Sequence, residues 1–233
     1  MPRTALHSTA ILVFAHSSQE EMKHKPLQHG AVIFEALSQH TLKTVKKTKL
    51  PYFHFTEKEQ RGASFGERFV HAIASVFNMG FTQLITIGND APLLRASDIV
   101  QAAKQLDEGH FILGPSKDGG FYLMGLQKSC FNAHSFLALP WQTKSVATQI
   151  TALIAKTQTS VVRLRPLLDL DRWDDLKRLI REASCSGGRI VQLLISLLHS
   201  TGKAIFHRPQ GKNTIFSNQY YNKGSPRLGR AFL

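Results

Sequence analysis

The sequence predicts an α/β domain in which a mostly parallel sheet lies between two layers of helices. Short apolar runs without polar alternation recur along roughly the first 180 residues, as in strands that are buried on both faces. Segments of about 10–15 residues with helical spacing separate these runs, and such alternation is typical of βαβ units. The length of 233 residues, with 42% hydrophobic residues, suffices for one domain and a short appendage.

Each element follows from a local pattern. The strand candidates in chain order are Ala10–Ala15, Pro51–Phe55, Leu84–Gly88, Phe111–Gly114, Phe121–Leu126 and Val161–Leu164. Helical spacing is found in 31–47, from Phe65 to near Gly80, in 97–106, in a segment with Val146, Ile150, Leu153 and Ile154, and in one with Trp173, Leu176, Leu179 and Ile180. Ser64 and Glu67 have the spacing of a capping box at a helix start. We interpret residues 16–27, after the first strand, as a loop.

The positive charge of the chain divides into two parts. There are 29 Lys and Arg against 16 Asp and Glu, a formal net charge of +13. Residues 1–183 carry +6, whereas residues 184–233 carry +7 and contain no acidic residue. A breaker, Ser186-Gly187-Gly188, precedes most of the basic segment. We therefore predict a domain over 1–183, followed by a basic C-terminal helix and arm over 184–233.

The basic segment leaves two interpretations open. Residues 190–198 are apolar nearly all round a helix, which predicts burial in a core or against a partner. Farther on, Phe216, Tyr220 and Tyr221 alternate with Lys and Arg, as in proteins that bind single-stranded nucleic acid. We favour an arm that packs on its own domain or on another subunit of a homo-oligomer, because the segment contains no RNA-binding motif.

Several classes of protein lack support in the sequence. No apolar run approaches the roughly 20 residues that span a bilayer. The two cysteines, Cys130 and Cys185, lie far apart without metal-binding spacing, so we expect a reduced, cytoplasmic protein. The G-x-S-x-G, P-loop and G-x-G-x-x-G motifs do not occur, which leaves hydrolase, NTPase and dehydrogenase interpretations unsupported.

Two predicted loops follow strands at the sheet edge where α/β proteins bind ligands. In the first, Gly88-Asn-Asp90-Ala-Pro92, the Asp90 carboxylate is suited to a divalent cation that bridges phosphates; the alternative is a plain turn. In the second, 114–120, Lys117 adds positive charge, and Gly119 and Gly120 allow backbone to approach a ligand. The alternative there is a tight Asp-Gly hairpin turn at Asp118.

A third acidic loop carries Asp169 and Asp171. Asp171 is suited to be the N-cap of the following helix, with Asp174 at the capping-box position. Capping leaves Asp169 unexplained. Asp169 and Asp171 are therefore candidates to share a cation with Asp90.

Taken in order, these stretches resemble a bacterial glycosyltransferase family of the nucleotide-diphospho-sugar transferase superfamily, which has the glycosyltransferase-A fold. The resemblance covers roughly residues 8–182, and the stretch from Leu113 to Leu126 is its most specific part. The matching stretches are Ser64–Arg68, Ile87–Pro92, Leu113–Leu126, Pro140–Thr143 and Asp169–Leu176. The resemblance implies a Rossmann-like, three-layer α/β/α sandwich that binds a nucleotide diphosphate through Mg²⁺ or Mn²⁺.

The resemblance also implies roles for single residues. Asp90 is the first metal ligand and, with Asp118, a candidate catalytic residue. Asp171, with Asp169, matches the second acidic site of the superfamily. Asp118, Gly119 and Gly120 are expected beside the sugar or acceptor, and Gly88 beside the nucleotide. Arg68 is expected to contact phosphate and Trp141 to stack on a ligand ring; the alternatives are a surface ion pair and a core tryptophan.

The first loop departs from the family. Relatives usually carry a basic loop of the type Gly-x-Val-Lys-Thr-Arg-Leu after the first strand, suited to phosphates. Residues 16–27 lack its glycine and arginine and contain Glu20 and Glu21 instead. Lys23 and Lys25 are candidates to replace the lost charge, and a solvated loop of mixed charge is the alternative that we favour.

The sequence thus predicts a metal-dependent glycosyltransferase with a nucleotide-diphospho-sugar donor, or another phosphorylated small molecule as ligand. Two alternatives stay open. One is a nucleotidyltransferase of the same superfamily. The other is a catalytically impaired protein that binds nucleotides or nucleic acid, which the altered first loop and the basic tail favour.

Overall fold

A computed structural model of the chain describes residues 8–25, 30–183 and 190–196. Its sheet has the strand order β2-β1-β3-β5-β4-β6. Strand β5 runs antiparallel to both β3 and β4, whereas the other neighbours pair in parallel. The strands are β1 (Thr9–Phe14), β2 (Tyr52–Phe55), β3 (Gln83–Ile87), β4 (Phe111–Pro115), β5 (Phe121–Gln127) and β6 (Val161–Arg163). The predicted α/β class with a mostly parallel sheet is confirmed.

Helices connect the strands and cover both faces of the sheet. They are α1 (Ser18–His24), α2 (Gly30–Lys47), α3 (Phe65–Asn78), α4 (Ala96–Asp107), α5 (Ala133–Leu137), α6 (Val146–Ala155) and α7 (Trp173–Ala183). The predicted capping box begins α3: Glu67 N donates to Ser64 Oγ at 3.1 Å, and Ser64 N donates to Glu67 Oε2 at 3.3 Å. In the part of the chain that the structure describes, no helix is long and apolar enough to cross a membrane.

Side chains of β1 alternate between two hydrophobic cores. Ala10 and Leu12 lie in the core beneath α3, α5 and α6. Ile11 and Val13 point to the opposite core, which α4 and the end of α2 cover. All four side chains are at most 1% exposed, as expected for a strand without polar alternation.

A third apolar cluster joins α2, α7 and residues 190–196, which are helical. Ile190, Val191 and Leu194 are buried in it together with Phe34 and Leu179. The apolar face predicted for 190–198 is thus packed, over 190–196, against helices of the same chain. The predicted breaker at 186–188 and the basic arm from 197 onward lie outside the described residues.

The interpretation of residues 16–27 as a solvated loop is wrong for its described part. Residues 18–24 form α1, with Ser17 as N-cap, whose Oγ accepts a hydrogen bond from Glu20 N. Acids occupy the first turn and bases the last, which favours a helix through its dipole. Glu21 and Lys25 are 6% and 8% exposed, so the segment is partly buried.

One stability prediction arises from α2. Burial, and next to it the Lys47 charge, lower the pKa of His40 below its usual 6.5. The folded chain therefore binds fewer protons than the unfolded chain just below pH 6.5, and stability falls as the pH falls through this range. We expect urea unfolding at pH 7.0, 6.0 and 5.5 to show this loss, and His40→Gln to reduce it. His71 is exposed on α3, so His71→Gln is the control. If the free energy of unfolding changed equally with pH in both variants, the prediction would be contradicted.

Candidate functional site

Backbone hydrogen bonds bring the three acidic loops together at the carboxyl edge of β1, β3, β4 and β6. Leu170 N donates to Asp90 O at 2.8 Å, which joins the loop after β3 to the segment before α7. Lys117 N donates to Leu167 O at 3.0 Å and Leu167 N to Pro115 O at 3.1 Å, which joins that segment to the end of β4. The site therefore lies where open α/β sheets bind ligands.

Lys25 is the centre of an ion cluster with Glu21, Asp90 and Asp171. Its Nζ lies 2.5 Å from Asp171 Oδ1, 3.4 Å from Glu21 Oε2 and 3.6 Å from Asp90 Oδ2. The Lys25 and Glu21 side chains are almost fully buried, and those of Asp90 and Asp171 are 14% and 24% exposed. Three carboxylates thus surround one ammonium group, and the first helix contributes two of the four charges.

The N-terminus of α7 explains why Asp171 is available to Lys25. Asp175 Oδ2 accepts hydrogen bonds from Arg172 N at 2.9 Å and from Asp171 N at 3.3 Å. The expectation that Asp171 caps the helix with Asp174 is therefore wrong. Asp174 pairs with Lys177 at 3.1 Å on an exposed face. Asp175 thus binds the backbone N–H groups of Asp171 and Arg172, and the Asp171 side chain lies in the ion cluster instead.

Asp169 contributes a carboxyl group of a different kind. Burial first, and then the Asp90 carboxylate, raise the pKa of Asp169 well above its usual range, although the neighbouring Ser116 hydroxyl acts in the opposite direction. Its Oδ1 atom is inaccessible to solvent and accepts no hydrogen bond from the residues that the structure describes. Buried acceptors are rarely left without a donor, so this oxygen is a place where a bound ligand can donate.

The turn after β4 shapes the other wall of the site. Asp118 Oδ1 accepts a hydrogen bond from Gly120 N at 2.9 Å, and Gly119 has φ +96°. The turn joins the antiparallel strands β4 and β5, so the hairpin interpretation holds. Asp118 also faces a small cavity of about 90 Å³, lined by Lys117, Asp118, Leu168, Asp169, Asp171, Asp175 and Arg178.

Other predicted site residues have structural partners. Lys23 is exposed and pairs with Glu20 at 2.6 Å, so it is not brought to the acidic loops. Arg68 Nη1 donates to Ala63 O at 3.2 Å, beside the start of α3. Trp141 donates its indole N–H to Phe136 O at 2.7 Å and packs among phenylalanine rings, which favours the core alternative.

The position of Gly88, directly after β3, leaves no room for a side chain beside Asp90. A Cβ atom at this position would lie 2.7 Å from Asp90 Oδ1. A larger residue here would therefore push the Asp90 carboxylate out of its position near Lys25.

Two residues of the site, Glu21 and Asp175, were not predicted from the sequence. Glu21 precedes Lys25 by four residues, a spacing that favours pairing on one helix face. Asp175 stands at the third position of α7, where an acidic side chain can reach back to free N–H groups. The spacing of Glu21 and Lys25 and the position of Asp175 can both be read in the sequence. They become informative only when the first residue of each helix is known.

The positions of these carboxylates show whether the site fits the divalent cation that the resemblance implies. Asp90, Asp169 and Asp171 offer the oxygen donors that Mg²⁺ and Mn²⁺ prefer. Within residues 8–25, 30–183 and 190–196, however, no three His, Cys, Asp or Glu side chains are placed to hold one metal ion. Lys25 Nζ lies within ion-pair distance of Asp90 and Asp171 instead. The arrangement does not fit a divalent cation while Lys25 lies there, and Mg²⁺ or Mn²⁺ stays a prediction.

Comparison with protein families identifies the chain. The model of DUF2064, described as an uncharacterised protein conserved in bacteria, matches residues 12–143, more than half of the sequence. The chain belongs to the DUF2064 family. The matched part of this DUF2064 chain includes Lys25, Asp90 and Asp118 and ends before Asp169 and Asp171. A comparison with curated proteins found no match.

Several solved structures match the DUF2064 chain to different degrees. A "putative nucleotide-diphospho-sugar transferase" from Desulfovibrio desulfuricans G20 matches with a TM-score of 0.68 and 20% identity, covering 86% of this chain and 98% of its own. The 4-diphosphocytidyl-2C-methyl-D-erythritol synthase of Anaerococcus prevotii matches with a TM-score of 0.49 and 9% identity, over 72% and 94% of the two chains. A cytidylyltransferase of Leptospira borgpetersenii gives 0.42 and 12%, over 88% and 99%. The first likeness shows that the chain shares the fold of the Desulfovibrio desulfuricans protein.

Proposed function

We propose that this DUF2064 protein is a glycosyltransferase that uses a nucleotide-diphospho-sugar donor. One observation carries the proposal: hydrogen bonds between loops gather Asp90, Asp118, Asp169 and Asp171 at the carboxyl edge of a sheet of this fold. In such sheets this edge is the usual ligand site. Because one fold can host many activities, the activity is inferred from the side chains at this edge and not from the fold.

The cavity offers suitable partners for both ends of such a donor. Lys117 and Arg178 line it and are the charges that we assign to the diphosphate. Asp118 and Asp169 line the same cavity, and Oδ1 of Asp169 has no donor among the described residues, so we assign these two carboxyl groups to hydroxyl groups of the sugar or acceptor. The proposed cofactor, Mg²⁺ or Mn²⁺, requires that Lys25 first leave the Asp90 and Asp171 carboxylates.

The proposal predicts that a nucleoside diphosphate stabilises the folded protein. At about 100 times the dissociation constant, a bound ligand contributes about 2.7 kcal/mol, which raises the melting temperature by several degrees. We would measure melting by differential scanning fluorimetry with uridine, guanosine, cytidine, adenosine and thymidine diphosphates, each with Mg²⁺, with Mn²⁺ and with EDTA. Asp118→Asn is the matched site variant and Asp174→Asn, exposed and outside the cavity, is its control.

No shift with any of the five diphosphates under any condition would contradict the proposal. A diphosphate that binds should then be tried as its sugar conjugate, with release of the free diphosphate as the sign of transfer or hydrolysis. Release of pyrophosphate from a nucleoside triphosphate and a phosphorylated acceptor would assign nucleotidyl transfer instead.

A further inference from the structure

Helix α1 places a positive charge where a cation is expected. Lys25 is the residue at which α1 ends, and its backbone N–H donates to Glu21 O at 2.8 Å. Its side chain passes the Phe34 ring, whose centre lies 5.8 Å from Nζ. The ammonium is thus held by α1 and α2 at the carboxylates of Asp90 and Asp171.

Distances exclude an ammonium and a metal ion at the same oxygens. A divalent cation lies roughly 2.0–2.6 Å from its oxygen ligands. The Lys25 Nζ already lies 2.5 Å from Asp171 Oδ1, so an ion bound to that oxygen on the same side would overlap it. Repulsion between the two cations would add to this overlap, because the group is almost fully buried and poorly screened.

The charges of the cluster also favour entry of another cation once Lys25 is gone. Among the described residues, Glu21, Asp90 and Asp171 all lie within ion-pair distance of the Lys25 ammonium group. Without Lys25, three carboxylates would face one another in a poorly solvated space, which is unfavourable unless another cation enters. The solvent-inaccessible Oδ1 of Asp169, without a hydrogen-bond donor among the described residues, is an independent sign that the site is suited to a ligand.

We propose that Lys25 competes with a divalent cation for the carboxylates of Asp90 and Asp171, so that Mg²⁺ or Mn²⁺ binds only when the ammonium withdraws. Metal binding then requires a rearrangement at the end of α1, which makes this helix a reporter of the metal-bound state. The inference concerns the metal alone and holds whichever group the protein transfers.

Lys25→Met tests the competition directly. Methionine keeps an unbranched apolar stem beside Phe34 and removes the charge. We expect its affinity for Mn²⁺, measured by isothermal titration calorimetry without nucleotide, to exceed that of the unaltered protein by about tenfold or more. Lys23→Met makes the same charge change on the exposed side of α1 and should leave the affinity unchanged. Lys25→Met combined with Asp171→Asn should lose the gain.

A measurement on the unaltered protein covers the case in which Lys25→Met does not fold. Acetylation of lysines by acetic anhydride, followed by mass spectrometry, should be slow at Lys25 and become several-fold faster in millimolar Mn²⁺, with exposed Lys23 as the internal reference. Equal Mn²⁺ affinities of Lys25→Met and Lys23→Met would overturn the proposal. Acetylation of Lys25 that Mn²⁺ leaves unchanged or slows would overturn it as well. Both readouts omit nucleotide, so their failure is distinct from failure of the proposed function.

Discussion

Replacing Trp141 by alanine is expected to destabilise the fold by about 3 kcal/mol, since large aromatic truncations in cores cost about 3–5 kcal/mol. The indole ring lies 5.2 Å from the Phe69 ring and 5.8 Å from the Phe65 ring, measured between centres. It also lies against Gly66, where an added Cβ would overlap it. Alanine would leave a cavity between α3 and the segment before α6, and Phe136 O would lose the indole donor while keeping the hydrogen bond from Leu139 N.

Two further variants separate packing from ligand stacking at Trp141. Trp141→Phe keeps a ring but removes the N–H, and should cost about 1 kcal/mol. Leu137→Ala, at a side chain that is 45% exposed, should change stability by less than about 0.5 kcal/mol. Urea unfolding measures all three. A loss below 1 kcal/mol in Trp141→Ala, together with a large loss of nucleotide affinity, would restore the stacking role predicted from the sequence.

Gly119→Ala is expected to displace the turn after β4. Its φ of +96° is unfavourable for residues with a Cβ, and an added Cβ would overlap the Lys144 carbonyl. Strained backbone positions of this kind cost about 1–3 kcal/mol, and the overlap with backbone atoms adds to the cost because no side chain can swing aside. We expect a total loss near 3 kcal/mol and loss of nucleoside diphosphate binding at the cavity.

Gly109→Ala is the matched control for this change. Gly109 has φ +89°, and an added Cβ there meets no atom within 4 Å. Only the backbone conformation is then penalised, at about 1 kcal/mol. Thermal and urea unfolding of the two variants measure the difference. Equal losses would show that the contact with Lys144 does not constrain the turn.

The strands and most helices could be predicted because their signals are local. The β1 run from Ala10 to Phe14 has no polar residue on either face, and the Ser64–Glu67 box needs only four consecutive residues. Strand order is different, because it depends on pairing between distant segments. The Asp-Gly turn at Asp118 favours an antiparallel pair of β4 and β5, but nothing local in the sequence indicates that β5 lies between β3 and β4.

The acidic loops were located from the sequence, but their arrangement was not. Asp90 and Asp171 follow strands in the chain, so the rule for α/β sheets places both at one edge. The burial of Lys25 depends on carboxylates that are far away in the sequence, and α1 is too short to show an apolar stripe. Short helices with many charges are therefore where sequence patterns were least informative.

The antiparallel strand β5 has a consequence for synthesis of the chain. Strands β1, β2 and β3 are complete once residue 87 has been made, and they can pair with one another at that stage. The free side of β3 is covered only by β5, which ends roughly 40 residues later, a delay of about 2–8 s at 5–20 residues per second. During that interval a nascent chain carries an open, apolar sheet edge, which is a template for association with other chains.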